Sequence, residues 1–362
     1  MKKKISIHDI ARQLEVSAAT VSYVLNGKSA EKRISAGMEK KILAYVEECG
    51  YRPNRVAKSL RTGKSKIIGM LVEDISDPFF SSISRIVEAH AHQLDYKIFH
   101  ASTENDALIT RDLLQVFRDT QVDGYIIAPP PGIEKDIQAL LDDNLPVVLF
   151  DRFFPELKTH NVVVDNREGA SAAIQHLVSN GYSAIGFVTL DSEQTQMNDR
   201  LAGYDNAMLQ AGLLPMVLKI PYEMERESLV MEKIDQFLAM NGQLDAMLFA
   251  TNYLAIGGLE AIHRRQLTIP HDIAVVGFDD NTHFSLFSPA VTAVAQPVEE
   301  MSKTVIEELM KVLSGKVKTL SRETIVLPTQ LIIRQSSVSR VKKPASSGKQ
   351  TPVRTASTGS AP

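Results

Sequence analysis

Polar side chains stand beyond several short apolar runs in the middle of the chain, and their types suit a polyol. Asp151, Asn252 and Asp279 each come soon after such a run, while Phe80 and Arg200 lie near the start of amphipathic stretches. Carboxylates, amides and a guanidinium bind hydroxyl groups through paired hydrogen bonds, and an aromatic ring covers the C–H patches of a sugar. These residue types predict a site for a small polyhydroxylated molecule.

The same apolar runs alternate with amphipathic stretches, and this alternation predicts how the polar residues are positioned. Strands that are apolar throughout and are separated by helices indicate parallel sheets covered on both faces. Ligands of such sheets bind beyond the carboxyl ends of the strands, where these polar residues are. We predict strands at 67–72, 97–101, 124–128, 147–150, 162–164, 184–188, 246–250 and 273–277, and helices at 79–93, 107–120, 169–180, 200–211, 228–241 and 254–265.

Charge is unevenly distributed along the 362 residues. Residues 1–66 contain 15 Lys and Arg against 6 Asp and Glu, a net charge of +9. Residues 67–338 have a net charge of −17, and residues 339–362 carry five basic side chains and no acidic one. A small basic head followed by a large acidic body indicates that the head binds a polyanion and the body does not.

Composition excludes several classes of protein. The single cysteine, Cys49, can form neither an internal disulfide nor a Cys-rich metal site. No apolar run approaches the roughly 18 residues that cross a bilayer, and the N-terminus lacks the apolar core of a signal peptide. We therefore expect a cytoplasmic protein with no membrane partner, no bound metal and no cofactor.

Three short helices are predicted in the basic head. Ser6 followed by Asp9 forms a capping-box pattern, and Ser17 and Ser35 are N-cap candidates for the next two helices. Gly27 suits the left-handed position just past the second helix. Two short helices joined by about three residues, with a third helix packed across them, predict a helix-turn-helix.

The second helix of this motif is expected to enter the major groove of DNA. Its outward positions are Ala18, Ala19, Ser22 and Tyr23. Hydroxyl groups at Ser17, Thr20 and Ser22 can donate to phosphates, which fixes the register on DNA without reading the sequence.

The segment ISIHDIARQLEVSAATVSYVLNGK, followed by ILAYVEECGYRPNRVAKSL, resembles the head of the LacI family of bacterial transcription regulators. The resemblance implies further DNA contacts from Ile7, His8 and Asn26. The chain departs from the family pattern at Glu15, where the turn usually has glycine, and at Tyr23, where arginine is often found. Tyrosine lacks the bidentate fork of arginine, so the operator sequence cannot be carried over.

Residues 51–65 match the family's hinge helix. By resemblance, Leu60 is a wedge between base steps in the minor groove, and Asn54, Ala57 and Arg61 line that groove. About eight residues are too few for a stable isolated helix, so the segment is expected to order when it binds DNA. A linker whose leucine packs on its own domain is the alternative.

The body resembles the two-lobed periplasmic-binding-protein fold that the LacI family carries behind its head. We expect a helix-turn-helix domain at 1–50, the hinge at 51–65, the body at 66–338 and a disordered tail at 339–362. Within the body, lobe 1 is expected to comprise about 66–164 and 292–324, and lobe 2 about 165–291 and 325–338. By resemblance, the main effector contacts are Arg200, Asn252 and Asp279, and the secondary ones are Asp77, Phe80 and Asp151.

The sequence thus predicts a LacI-type repressor of sugar metabolism or uptake genes, and not an enzyme. We expect a homodimer that binds a pseudo-palindromic double-stranded operator and responds to a small sugar or sugar phosphate. The same regulator responding to a nucleobase, or needing its ligand as a corepressor, is the nearest alternative. A solute-binding protein for transport and an enzyme built on the same body are further alternatives.

Overall fold

The computed structural model describes residues 5–51, 63–222, 227–316 and 323–338. The chain divides into two compact units, a helical head and a larger body. In the head, three helices surround a small apolar core made by Ile10, Val21 and Ile42 with their neighbours. These helices are α1 (Ile7–Gln13), α2 (Ala18–Leu25) and α3 (Ala36–Glu48).

Each helix of the head begins at the serine predicted from the sequence. The Ser6 side chain accepts from the Asp9 amide, and the Asp9 carboxylate accepts from the Ser6 amide at 2.9 Å, which completes the capping box. The Ser17 and Ser35 side chains cap α2 and α3 by accepting from the backbone amides of Thr20 and Met38. Glu15, in the turn between α1 and α2, has a φ of 55°, the left-handed backbone that explains why glycine is usual at this position.

The first lobe of the body, called lobe 1 from here on, is a six-stranded sheet in the order β11-β5-β4-β3-β1-β2. The strand pairs β1–β3, β3–β4, β4–β5 and β5–β11 are parallel. Its strands are β1 (Ile67–Val72), β2 (Lys97–Ser102), β3 (Gly124–Ile127), β4 (Val147–Phe150), β5 (His160–Val164) and β11 (Glu323–Leu327). Its helices are α4 (Pro78–Gln93), α5 (Ala107–Asp119), α6 (Glu134–Asp142) and α11 (Val298–Leu313).

The second lobe, lobe 2, is a six-stranded sheet in the order β12-β10-β9-β8-β6-β7. Only the short edge strand β12 runs antiparallel among its paired strands. Its strands are β6 (Ile185–Asp191), β7 (Met216–Pro221), β8 (Ala246–Phe249), β9 (Ala274–Phe278), β10 (Thr292–Ala295) and β12 (Gln330–Ile332). Its helices are α7 (Asn166–Ser179), α8 (Thr195–Gln210), α9 (Glu227–Met240) and α10 (Asn252–Arg264).

The chain passes between the lobes three times: after β5, after β10 and after β11. Two of the predicted lobe boundaries are therefore wrong. Residues 292–295 form β10 and pair with β9 of lobe 2, whereas 325–327 complete β11 and pair with β5 of lobe 1. Neither strand was among those predicted, and apolar patterning carries no information about which sheet a strand joins.

The predicted fold class, a helical head followed by a two-lobed body of mainly parallel sheets, is confirmed. All eight predicted strands and six predicted helices are present within a few residues of their expected bounds. The expected hinge positions Asn54, Ala57, Leu60 and Arg61 and the tail at 339–362 lie outside the described residues. Within the described part of the chain, no helix is long and apolar enough to cross a membrane.

Candidate functional site: a DNA-reading helix and an effector cavity

Helix α2 presents a polar, small-residue surface, as expected for a recognition helix. Ala19, Tyr23 and Asn26 are exposed, whereas Val21 and Val24 are buried in the head core. The ring of Tyr23 has the Lys32 ammonium 5.5 Å from its centroid, a separation typical of a cation–π contact. This contact restrains the Tyr23 ring, which stands at the position where the family often has arginine.

Two of the predicted phosphate-contacting hydroxyls are already bonded within the helix. Ser17 Oγ accepts from the Thr20 amide at 3.0 Å and lies 2.8 Å from Thr20 Oγ1. Asn26 donates from Nδ2 to the Ser22 carbonyl at 2.6 Å and so caps the end of α2. Ile7 and Ala18 are half-buried and His8 is exposed, so every predicted residue of 7–26 lies on or beside the α1–α2 surface.

In the body, a cavity of about 540 Å³ lies between the two lobes. It is lined by all six predicted effector residues: Asp77, Phe80 and Asp151 of lobe 1, and Arg200, Asn252 and Asp279 of lobe 2. The volume is in the range that holds a small ligand. Further carboxylates line the cavity at Glu73, Asp74, Glu104 and Glu260, and a second guanidinium lines it at Arg152.

Arg200 is the most firmly held side chain of the cavity. It is buried, donates from Nε to Asn166 Oδ1 at 2.8 Å and from Nη1 to the Ala250 carbonyl at 2.6 Å, and lies 3.6 Å from the Asp279 carboxylate. Its guanidinium carbon is 3.7 Å from the centroid of the Phe278 ring. Asp199, the residue before Arg200 in the chain, pairs with Arg167 at 3.3 Å.

Gly203, three residues after Arg200, helps to place the Arg200 side chain. Gly203 lies where α8 crosses α7, and a Cβ added there would lie 2.2 Å from the carbonyl oxygen of Arg167. Only glycine allows this close approach of the two helices. Helix α7 begins with Asn166, the residue that accepts from Arg200, so the close packing sets the distance between these two side chains.

Asp151 and Asp279 stand at the ends of β4 and β9, and each has a φ of 67°. Residues other than glycine adopt this left-handed backbone rarely, and aspartate is among the types that tolerate it. The turn directs both carboxylates to the cavity. Burial raises the pKa of Asp151 to about 6, and the negative charge of Asp279 adds to the increase. Burial also raises the pKa of Asp279, against the opposing effect of Arg200.

Direct hydrogen bonds join the lobes around the cavity. Asn252 Nδ2 of lobe 2 donates to Asp77 Oδ2 of lobe 1 at 3.1 Å, while the other Asp77 oxygen caps α4. Burial raises the pKa of Asp77 to about 6, despite the opposing hydrogen bond from Asn252. A second bond runs from Tyr222 Oη to Glu73 Oε1 at 2.9 Å, and a third from Gln194 Nε2 to Asn105 Oδ1 at 2.8 Å.

Several residues that line the cavity were not among the predicted site residues. Glu73 follows β1 directly, so the rule that found Asp151 also points to it; it accepts from the buried Arg152 at 2.6 Å. Tyr222 follows β7, a strand that was not predicted because its residues are mostly half-buried and it ends in proline. Gln196 lies in the first turn of α8, and no local signal marks it. The ring of Phe80 lines the cavity but also packs against Phe150, with centroids 6.3 Å apart.

Comparison with known proteins decides the family. Residues 6–54 match the model of bacterial regulatory proteins of the lacI family, and residues 174–337 match a periplasmic binding protein-like domain. The regulator RegA of Clostridium saccharobutylicum is 32% identical over 92% of this chain and 99% of its own length. The chain belongs to the LacI family.

Other LacI-family relatives span nearly the whole chain as well. The repressor PurR of Photobacterium profundum is 32% identical over 91% of this chain and 98% of its own length. The ribose operon repressor of Haemophilus influenzae is 29% identical with the same coverage. A crystal structure of the Lac repressor dimer bound to operator and the anti-inducer ONPF has a TM-score of 0.81 at 24% identity, covering 93% of this chain and all of the other.

This LacI-family chain is therefore a DNA-binding transcription regulator and not an enzyme, as the sequence predicts. Regulators of this family bind operator DNA and small-molecule effectors. The individual DNA and effector contacts remain predictions.

Proposed function

We propose that this regulator represses genes of sugar uptake or metabolism and that a small polyhydroxylated effector binds in the cavity between its lobes. The observation that carries the proposal is the convergence of Arg200, Asn252 and Asp279 from lobe 2 with Asp77 and Asp151 from lobe 1 on one cavity. Carboxylates, an amide and a guanidinium are the groups that bind sugar hydroxyls. One relative bears the name of a ribose operon repressor, which supports a sugar.

Two copies of the chain form the DNA-binding unit in this proposal. Each head places α2 in the major groove of one half-site of a pseudo-palindromic operator, since a two-fold dimer requires two related half-sites. The Lac repressor with the similar fold binds its operator as a dimer, which supports this arrangement. An effector with different affinities for two arrangements of the lobes shifts their populations and thereby changes operator affinity.

A nucleobase is the second candidate effector. Phe80, Tyr222 and Tyr253 line the cavity, and aromatic rings can stack on a planar base. In this case the ligand acts as inducer or corepressor at the same site.

Operator selection from random duplex DNA tests the proposal. The full-length protein is incubated with the pool alone and with a panel of sugars, sugar phosphates and purines, and the bound DNA is sequenced. We expect an inverted repeat whose recovery changes with one member of the panel. Failure to enrich any motif in every condition would overturn the DNA-binding part, and enrichment unaffected by every ligand would overturn the effector part.

The proposed minor-groove wedge has its own test. Leu60→Ala should weaken operator binding and reduce DNA bending, because a wedge stabilises the kinked duplex. Effector affinity should be unchanged. Leu43→Ala, at an exposed leucine of α3, is the matched control and should leave bending at the wild-type level. Circular-permutation gel shifts measure the bend, and wild-type bending by Leu60→Ala would contradict the assignment.

A further inference from the structure

The cavity is rich in negative charge. Among the described residues that line it, seven carry carboxylates and two carry guanidinium groups. At neutral pH the lining therefore has a formal charge of −5. Glu104 and Glu260 are exposed, whereas Asp151 is buried. An anion that enters such a cavity approaches several like charges in a medium less polar than water, where the repulsion is larger.

Both guanidinium groups are already engaged by protein acceptors. Arg152 is buried and donates from Nη2 to Glu73 at 2.6 Å, and its Nε, which makes no hydrogen bond among the described atoms, lies 3.8 Å from the Asp151 carboxylate. Arg200 donates to Asn166 and to the Ala250 carbonyl, and it lies beside Asp279. Carboxylates of the cavity therefore already neutralise both cations, Glu73 and Asp151 at Arg152 and Asp279 at Arg200, and a phosphate group would have to compete with them for the same positive charge.

The hydrogen-bonding groups of the cavity also disfavour a phosphate group. The buried side-chain oxygen of Gln196, Oε1, lines the cavity and has no hydrogen-bond partner among the described atoms. The Asp77 and Asp151 carboxylates offer further acceptor positions, while the cavity amide group of Asn252 donates to Asp77. A hydroxyl or an ammonium group supplies donors to these acceptors, whereas an ionised phosphate supplies none.

We infer that the effector is an unphosphorylated, hydrogen-bond-donating polyol, a neutral sugar or an amino sugar, and that the cavity rejects sugar phosphates. This inference rests on the proposed function, since it selects one chemical class among the effectors that the site admits. The raised pKa of Asp77, Asp151 and Asp279 agrees with it, because each increase reflects buried negative charge that a donating ligand relieves.

Matched ligand sets test the inference. The full-length protein is titrated calorimetrically with neutral sugars, with their phosphate esters and with the corresponding amino sugars, and the same compounds are added to an operator-binding assay. For the sugar that changes operator binding, we expect its phosphate ester to bind at least tenfold more weakly. The amino sugar should bind as tightly as the neutral parent or more tightly. The discrimination should shrink at high salt, because charge repulsion is screened.

Two variants locate the cause. Asp77→Asn removes one charge with little change of shape and should reduce the discrimination against the phosphate ester at least threefold; Asp112→Asn, at an exposed site of α5, should not. Gln196→Leu should weaken binding of the neutral sugar at least fivefold. Thermal unfolding of each variant verifies that it is folded.

The outcomes separate the inference from the proposed function. A phosphate ester that binds more tightly than its parent overturns the inference and leaves the sugar-responsive regulator intact. A purine that alone changes operator binding, or no response to any compound, overturns the sugar-responsive function itself. Equal discrimination against the phosphate ester in wild type, Asp77→Asn and Asp112→Asn would show that charge repulsion in the cavity is not its cause.

Discussion

The two lobes share one strand order but use it differently. In each sheet the third strand, β4 or β9, ends in an aspartate with a φ of 67°, so Asp151 and Asp279 occupy equivalent positions. The helices that follow β1 and β6 are also equivalent, yet the sixth residue of α4 is the fully buried Ile83 whereas that of α8 is Arg200. The same framework therefore supplies an apolar core residue in lobe 1 and a cavity-lining cation in lobe 2.

The cavity side chains of the two lobes also differ in what holds them. Arg200 is fixed entirely by groups of lobe 2, whereas Asp77 of lobe 1 bonds across the cavity to Asn252. Arg200 is thus preorganised within lobe 2, whereas the Asp77–Asn252 pair depends on the distance between the lobes. Preorganised contacts lose less entropy on binding, so they should dominate effector affinity.

The largest expected effect is a loss of effector affinity when the hydrogen bonds that hold Arg200 in lobe 2 are removed. Arg200→Lys removes the fork that bonds Asn166 and the Ala250 carbonyl, and lysine cannot replace both bonds. We expect effector affinity to fall by about 2–3 kcal/mol, roughly 30- to 150-fold, since hydrogen bonds of charged groups have this strength. Arg167→Lys, at an exposed arginine, is the control. Calorimetric titration measures the effector affinity of both variants. Equal losses of affinity would contradict the prediction that the preorganised Arg200 dominates effector binding.

A second effect concerns the pH dependence of stability. Because the pKa of Asp77 and Asp151 is about 6 in the folded protein and near 3.8 when unfolded, the folded state binds more protons between these values. The free energy of unfolding should therefore fall as pH rises from about 4 to about 6 and should be independent of these groups above that range.

Asp151→Asn should remove about 3 kcal/mol of this pH-dependent change, because the pKa of Asp151 is raised by about two units and each unit corresponds to about 1.4 kcal/mol. Urea denaturation at pH 4, 5, 6 and 7 measures it, with Asp112→Asn as the exposed control. A variant that retains the full wild-type slope would show that the buried aspartate of lobe 1 does not carry the effect.

The smallest effect is that of the bond between the lobes. In a double-mutant cycle, Asp77→Ala and Asn252→Ala should show a coupling energy of about 1 kcal/mol, since the two side chains form one hydrogen bond at 3.1 Å. The readout is the effector concentration that half-releases the operator. Strictly additive effects would mean that this bond does not contribute to coupling between the lobes.

Much of this architecture could be predicted because its signals are local. The serine caps of α1, α2 and α3 and the motif around Thr20 are contiguous in sequence. Asp151 and Asp279 follow fully buried strands whose composition is distinctive. The roles of Tyr222 and Asn166 could not be predicted in this way. Tyr222 depends on the half-buried edge strand β7, and Asn166 depends on the close packing of α7 against α8 that Gly203 permits.

The three crossings between the lobes have a consequence for biosynthesis. The apolar core of the head joins residues 10 to 42, so it can form as soon as this short segment has left the ribosome. Lobe 1 is different, because α11 packs on its sheet and β11 forms the edge of that sheet, and both come from residues 298–327 at the far end of the body. During translation its core therefore stays open while lobe 2 is synthesised, and an exposed apolar sheet of this kind is a target for chaperones.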